Sequence, residues 1–274
     1  MIDKVIAIYI FIDDVLKKIK HFEDKQVKVT DAEVITIAII SSLYFYGHHE
    51  KAMSYFTSHK IFSNNLGKRR FNRRLHRLDK FVEDLFLQLG YILKELNTSQ
   101  EYVMDSFPVS VCHNIRISNY RMIPKDETFR GKCVSKREYF YGIKIQMITT
   151  HQGIPVEYCF VPGRYSDAKG MHSLYYDLPE NSRNISDSAY TNYVFEDMLK
   201  EVSILHDSVR KSNSKRKEPA YISFYKECKR KIIENVFRVI TRMFPKNIHA
   251  TTFKGFLLKL KVWILGYTCD KAFL

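Results

Sequence analysis

The sequence predicts an α/β fold in which an all-helical N-terminal region precedes a mixed five-stranded sheet flanked by helices. Apolar residues recur at three- and four-residue spacing through much of residues 1–97, as they do in amphipathic helices. Strand-like segments follow between residues 102 and 163, and helical and strand-like segments alternate beyond them. Because 45% of the 274 residues are hydrophobic, the chain can bury a sizeable core.

The N-terminal helices begin and end at recognisable signals. Thr30 precedes a long apolar run and Glu33 follows three residues later, which predicts a capping box at the start of a helix. Gly47 predicts the end of that helix. A long helix is predicted from about 71 to 96, because apolar side chains recur there on one face.

Three strands are predicted next, over residues 102–111, 139–150 and 154–163. Each segment is rich in β-branched and aromatic residues, which favour strands. The last two segments are separated by a short turn that contains Gly153. Antiparallel pairing of the three strands is therefore the simplest arrangement.

Helices and short strands alternate in the C-terminal part of the chain. A helical stretch is predicted at 168–178, and a short strand that ends near Asp187 follows it. A helix at 193–202, a strand at 203–209 and a helix from Ala220 to Met243 complete the pattern. In such a mixed sheet we expect the first and fourth strands to be neighbours.

The change of pattern at residues 97–100, with the sequence NTSQ, predicts a domain boundary. Residues 1–97 are predicted to form a helical domain, and residues 98–274 a second domain that contains the predicted strands. Lysine and arginine outnumber aspartate and glutamate by 44 to 30, for a net charge of +14. A charge this positive favours a polyanionic partner such as DNA, although a basic but inert surface is an alternative.

The five cysteines form no C-x-x-C pair, and their odd number suits neither a disulfide framework nor a zinc cluster. They indicate a reducing compartment. No apolar run reaches the roughly 20 residues that a membrane-spanning helix needs, and no signal peptide is recognisable. We therefore expect a soluble cytoplasmic protein that does not associate with membranes.

Three carboxylates are candidates for catalysis. Asp105 lies within the most apolar strand segment, where an ionised side chain is costly unless it has a partner. Asp187 follows the fourth strand, and Glu234 lies beside the apolar face of the last predicted helix. Asp167, which also follows a strand, competes with Asp187 for the second position. A simple salt bridge or helix cap is the alternative for any one of them.

Converging carboxylates repel one another, and divalent cations relieve that repulsion while activating a hydroxyl group that attacks phosphate. All-oxygen ligands suit Mg²⁺. We therefore expect Asp105, Asp187 and Glu234 to bind two Mg²⁺ ions, or Mn²⁺ ions in their place.

Two basic segments are candidates for contact with DNA phosphates. The first, GKRRFNRRLHR at 67–77, contains six basic residues in eleven positions. The second, at 210–219, is predicted to be a loop, for which a solvated connection is the alternative. Arg230 and Arg238 flank Glu234 at four-residue spacing. The candidate DNA-binding residues are Lys68, Arg69, Arg70, Arg73, Arg74, Arg77, Lys215, Arg216, Lys217, Arg230 and Arg238.

Several motifs occur in an order that resembles the DDE transposases of bacterial insertion sequences, specifically insertion sequence family 982. They include MDSFPVSVCHNIRI, SDSAYTNYVFEDMLKE and IENVF. The resemblance extends over nearly the whole chain and implies a ribonuclease H-like catalytic core whose acidic triad is Asp105, Asp187 and Glu234. Arg230 lies where related transposases have an arginine that contacts the DNA backbone.

The resemblance implies metal-dependent DNA cleavage at the ends of an insertion sequence, followed by strand transfer into target DNA. It also implies that residues 1–97 are a DNA-binding domain and residues 98–274 the catalytic domain. The chain is then expected to bind double-stranded DNA as a homodimer or larger assembly, at the bacterial nucleoid. Two alternatives stay open. One is a ribonuclease H-like nuclease without strand transfer, and the other is a catalytically inactive, DNA-binding relative of the transposases.

Overall fold

The computed structural model describes residues 1–24, 26–64, 66–112, 117, 122–123, 126–133 and 137–273. In this part of the chain the α-helices are α1 (Ile2–Lys18), α2 (Asp31–Tyr44), α3 (His49–Ser58), α4 (Lys68–Arg77), α5 (Asp79–Glu95), α6 (Asp167–Met171), α7 (Tyr193–Glu201), α8 (Ala220–Met243) and α9 (Phe253–Ala272). The strands are β1 (Glu101–Cys112), β2 (Arg130–Cys133), β3 (Glu138–Thr150), β4 (Pro155–Pro162), β5 (Arg183–Ser186) and β6 (Leu205–Ser208). None of the described helices is long and apolar enough to cross a membrane.

The chain divides into two compact units. A helical unit contains Met1–Gln88 and Val239–Leu274, and a sheet unit contains Leu89–Arg238. This division differs from the predicted boundary at 97–100, and it places the C-terminal segment with the N-terminal helices. The reason is that α9 packs against α2. The functions expected of the two parts of the chain stay predictions.

Helix α2 is the central helix of the helical unit, and the predicted capping box is confirmed at its start. The backbone N–H of Glu33 donates to the Thr30 hydroxyl at 3.1 Å, and the backbone N–H of Thr30 donates to the Glu33 carboxylate at 2.6 Å. Helix α2 contacts α1, α3, α4 and α9, so nearly all of its side chains are buried. The predicted stop is also confirmed, because Gly47 has a φ of 75° shortly after the helix ends.

The long helix predicted at 71–96 is in fact two helices, α4 and α5, with a break at Leu78. Leu78 has φ −88° and ψ 6°, and its backbone N–H donates to the carbonyls of both Arg74 and Leu75. Leu75, Leu78 and Val82 are all buried. The apolar spacing continues across the break, so the pattern alone did not reveal it.

Helix α9 was not predicted from sequence periodicity. Its side chains are buried on most faces, and a helix that is apolar all round lacks the polar stripe that marks an amphipathic helix. It lies close to α2, since a Cβ added at Gly266 would be 2.5 Å from the Ser42 hydroxyl.

The sheet unit contains one six-stranded mixed sheet in the order β2-β3-β1-β5-β6, with β4 also paired to β3. The three predicted long strands are confirmed as β1, β3 and β4, with antiparallel pairing of β1 to β3 and of β3 to β4. Strands β5 and β6 run parallel to β1. The predicted fold class is confirmed, and the architecture is consistent with a ribonuclease H-like fold. Strand β2 is the additional strand.

The helical stretch predicted at 168–178 is much shorter, because α6 ends at Met171. Tyr176 has a φ of 58°, which is incompatible with a continuing α-helix. Its backbone N–H donates to the buried Glu157 carboxylate at 2.9 Å instead of to a helical carbonyl. Helix α8, by contrast, has the bounds that the sequence predicted.

Candidate active site

The register of two neighbouring strands brings Asp105 and Asp187 to the same region of the sheet. Strands β1 and β5 are neighbours, as predicted for the first and fourth strands; they run parallel, and Met104 lies opposite Ser186. Asp105 and Asp187 each follow these paired residues. Asp187 caps a short 3₁₀ turn, and its Oδ1 accepts a hydrogen bond from the backbone N–H of Ser188 at 2.7 Å.

Helix α8 supplies the third carboxylate. Ile233, Val236 and Phe237 on this helix are buried, and the Phe237 ring lies 4.5 Å from the ring of Phe107 on β1. Phe107 is two residues beyond Asp105 on the same strand. The exposed side chain of Glu234 therefore projects from the part of α8 that packs near the aspartate.

One arginine contacts all three carboxylates. Arg230, one turn before Glu234, places Nη2 at 3.6 Å from Asp105 Oδ2 and Nη1 at 3.3 Å from Asp187 Oδ1. Its Nη2 also lies 3.8 Å from Glu234 Oε1. The structure thus brings the three predicted acids together around the guanidinium of a residue predicted to contact DNA.

Asp105 is the carboxylate whose environment is least favourable to ionisation. Burial raises its pKa to about 6, against the opposing effects of the Ser106 backbone N–H and the Arg230 guanidinium. The negative charges of Asp167 and Asp187 raise the pKa further. Arg230 alone therefore does not compensate the negative charge gathered around Asp105.

Asp167, the alternative second carboxylate, has different partners. Its Oδ1 accepts hydrogen bonds from the Ser106 hydroxyl at 2.7 Å and from Lys144 Nζ at 3.0 Å. Sequence reasoning missed both of these supporting residues. Lys144 did give a signal, because it is a charged residue within the apolar segment of β3, just as Asp105 is in β1.

The three acids suit a hard divalent cation by their chemistry, since all of their donor atoms are carboxylate oxygens. Their surplus negative charge also favours a further cation. Across the residues that the structure describes, no group of three histidine, cysteine, aspartate or glutamate side chains has a metal-holding arrangement. In this structure the carboxylates of Asp105, Asp187 and Glu234 surround the Arg230 guanidinium instead.

The basic residues of α4 divide into two groups. Arg69, Arg70, Arg73 and Arg77 are exposed, while Phe71 and Leu75 bury the opposite face of the helix. Lys68 pairs with Glu50 at 2.8 Å.

Arg74 points away from this exposed face. Its Nε donates to Asp31 Oδ1 at 2.6 Å, and its Nη2 lies 2.5 Å from Glu23 Oε1. Arg74 thus links α4 to the start of α2, and its contact with DNA stays a prediction.

The remaining basic candidates lie in the sheet unit. Lys215, Arg216 and Lys217 are exposed between β6 and α8, and Arg216 pairs with Asp197 at 2.7 Å. Arg238 is exposed on α8 and donates to the Asn235 side chain at 2.5 Å.

Comparison with known proteins identifies the family. Residues 94–249, more than half of the chain, match the family model described as a transposase DDE domain. The matched segment includes the three acids and Arg230. The chain matches no curated protein and no solved structure. On the strength of the family match, the chain belongs to the DDE transposase family.

Proposed function

We propose that this chain is a transposase of insertion sequence family 982 that cleaves DNA at the ends of its element and joins those ends to target DNA. Membership of the DDE transposase family implies a DNA substrate and, in general, a need for divalent metal. The observation that carries the proposal is the convergence of Asp105, Asp187 and Glu234 within 4 Å of a single guanidinium.

We assign metal binding to these three carboxylates, with two Mg²⁺ or Mn²⁺ ions as the expected cofactor. Such ions, when bound, activate a water or hydroxyl nucleophile and stabilise negative charge on the phosphate. Asp105, on a rigid central strand, would fix the position of the site. Asp187 and Glu234, at a strand end and on a helix, would adjust to the ions and to the DNA.

Arg230 is proposed to have two states. A guanidinium and a metal ion cannot occupy the same space among the carboxylate oxygens, so metal binding must displace the guanidinium. The displaced side chain would then be available to a DNA phosphate, with which arginine forms charge-assisted hydrogen bonds.

Binding of the DNA duplex is assigned to basic surfaces outside the acidic cluster. The exposed arginines of α4 are the best candidates, because they present four positive charges on one short helix. The basic connection at 210–219 is a second candidate. From the resemblance we expect a homodimer or larger assembly on DNA, acting at the nucleoid in the cytoplasm.

The test uses the full chain, DNA that flanks its own gene on both sides, and Mg²⁺ or Mn²⁺. We expect cleavage at defined positions and covalent joining of the resulting 3′ ends to a target duplex. Asp105→Asn, Asp187→Asn and Glu234→Gln should each lower both activities more than about a hundredfold, because losing a ligand costs more than losing a residue that orients one. DNA binding, measured by gel shift, should persist.

Glu227→Gln is the matched control, since Glu227 is an exposed acid on the same helix. It should retain both activities. Cleavage without joining would instead favour a nuclease, and DNA binding without cleavage would favour an inactive relative. Full cleavage by Asp105→Asn would contradict the assigned site.

A further inference from the structure

The helical unit contains a cleft of about 830 Å³ that no part of the proposed reaction uses. It is lined by the end of α2, by α3 and α4, and by the segment from Pro245 into α9. The sheet unit contributes none of the residues that line it. Its size is within the range of roughly 300–1,000 Å³ that is typical of small-molecule sites.

Positive charge predominates among the residues that line the cleft. Lys68, Lys246 and Lys259 are the lysines, and the acidic residue is Glu50, which already pairs with Lys68 at 2.8 Å. Lys259 donates to the backbone carbonyl of His249. Burial lowers the pKa of Lys259, and in the described part of the chain no carboxylate raises it.

Histidines beside these lysines reflect the same excess of positive charge. Burial lowers the pKa of His49 to about 4, although its hydrogen bond to Asn72 opposes the shift. The positive charges of Lys259, His48 and His76 lower the pKa further. With a pKa of about 4, His49 is uncharged at neutral pH, so the lysines supply the positive charge that lines this cleft and that an anion would pair with.

Apolar side chains form another part of the wall. Leu258, Val262 and Trp263 line the cleft from α9, and Leu75 lines it from α4. Trp263 is 2% exposed, and no acceptor among the described residues binds its Nε1. A ligand that fills the cleft would therefore combine an anionic group with an apolar or aromatic body.

We propose that this cleft binds a phosphate-bearing ligand of nucleotide size. Lys246 and Lys259 would contact the phosphate, and the apolar wall from α9 would contact the rest of the ligand. The ligand is either one nucleotide unit of a DNA strand or a free mononucleotide, because both present the same chemistry. This inference does not depend on the role proposed for the acidic cluster.

Fluorescence of the full chain tests the proposal directly, since Trp263 is the one tryptophan in the sequence. The probes are inorganic phosphate, deoxythymidine 5′-monophosphate, deoxythymidine without phosphate, and a short oligodeoxythymidylate. We expect a saturable change with the monophosphate, a weaker one with inorganic phosphate, and none with the nucleoside. Tighter binding of the oligonucleotide than of the monophosphate would identify a unit of a DNA strand as the ligand.

Lys246→Gln and Lys259→Gln should each weaken binding of the monophosphate about tenfold, the cost of one hydrogen bond to a charged group. Lys246 is exposed, so its substitution should leave folding intact even if that of Lys259 disturbs the His249 contact. Lys254→Gln is the matched control, because Lys254 is an exposed lysine at the start of α9 that does not line the cleft.

Three outcomes would overturn the proposal. One is the absence of a saturable change with every phosphate-bearing probe. Another is a dissociation constant for the monophosphate that is equal in the wild type, the two cleft variants and Lys254→Gln. Equal binding of deoxythymidine and its monophosphate would also overturn it, because the phosphate would then not be recognised.

Discussion

Arg230 acts in this structure as the counter-ion of three carboxylates, and this role can be separated from any role on DNA. Its side chain is largely buried, and its Nη atoms lie 3.3–3.8 Å from the three acids. Removing the guanidinium leaves those carboxylates facing one another without a cation. A bound divalent ion would replace the lost positive charge, and no guanidinium would compete with it for the carboxylates.

In buffer that contains a metal chelator, Arg230→Gln should therefore lower the free energy of unfolding by about 1–2 kcal/mol. This loss is smaller than for a fully buried ion pair, because two of the acids are partly exposed. The same variant should gain more stability than the wild type from Mn²⁺. Urea denaturation with chelator and with Mn²⁺ measures both effects.

Lys231→Gln removes one positive charge from an exposed position on the same helix, and it should behave like the wild type. If Arg230→Gln and the wild type responded equally to Mn²⁺, the guanidinium would not compete with metal. That result would leave the assignment of the three acids intact. Loss of the Mn²⁺ response in Asp105→Asn tests that assignment separately.

Asp105 should also make stability depend on pH in the absence of metal. Its pKa is about 6 in the folded chain, compared with an ordinary value of 3.8, because burial disfavours the charged form. The folded state therefore retains a proton that the unfolded state releases between these values. The contribution to stability is complete below about pH 4 and is lost as the pH rises through about 6.

Asp105→Asn cannot ionise and should escape this loss. In chelator, its free energy of unfolding should match that of the wild type near pH 4 and exceed it near neutral pH by up to about 3 kcal/mol. A pH series of urea denaturations on both proteins measures the difference. A constant difference across the series would show that Asp105 ionises as freely in the folded chain as in the unfolded one.

At the scale of elements, the contact of α5 with β4 depends on Gly90. A Cβ at this position would lie 2.6 Å from the carbonyl oxygen of Val156, closer than real Cβ atoms approach. One turn later, Lys94 pairs with the buried Glu157 at 2.7 Å. Glycine therefore permits the close approach that this buried ion pair requires.

Gly90→Ala should destabilise the protein by about 1–3 kcal/mol, because the added methyl group must separate α5 from β4. Helix propensity alone predicts the opposite sign, since alanine stabilises a helix by about 1 kcal/mol relative to glycine. The free energy of unfolding of Gly90→Ala, measured by urea denaturation, distinguishes the steric effect from the helix-propensity effect. Gln88→Ala, at an exposed position of α5, should change stability by less than about 0.5 kcal/mol.

Elements with local signals were predictable from the sequence. The capping box of Thr30 and Glu33, the strands β1, β3 and β4, and the bounds of α8 all depend on residues close together in the chain. The features that were missed lack such signals. Helix α9 is apolar on nearly all faces, and the break at Leu78 leaves the apolar spacing unchanged.

In the candidate site, too, only the features with a local sequence signal could be predicted. Asp105 and Asp187 could be paired in advance because the first and fourth strands were expected to be neighbours, with Asp105 within the first strand and Asp187 at the end of the fourth. The four-residue spacing on α8 related Arg230 to Glu234 alone. Its contacts with both aspartates depend on how α8 packs near β1, where Phe237 lies beside Phe107, and the Ser106–Asp167–Lys144 contacts depend on three separate elements. Such contacts are set by tertiary packing, which one sequence does not display.

For the whole molecule, a net charge of +14 predicts binding to nucleic acid that weakens with salt, but it does not locate the binding surface. The ion pairs show which basic side chains of α4 already have a carboxylate partner. On α4, Arg74 and Lys68 are engaged with carboxylates. In the part of the chain described, Arg70 and Arg73 are exposed and form no ion pair, so their charge is available to phosphates.

The double variant Arg70→Gln/Arg73→Gln should reduce the slope of log affinity against log salt concentration by about 2, because each lost phosphate contact removes nearly one released counter-ion. Lys18→Gln/Lys20→Gln is the matched control, because it makes the same change in net charge at exposed positions outside α4. Fluorescence anisotropy with a labelled duplex over a salt series measures the slopes. If the slope fell equally in both double variants, overall charge and not α4 would drive binding. If the slope stayed unchanged in Arg70→Gln/Arg73→Gln, these two arginines would not contact the DNA.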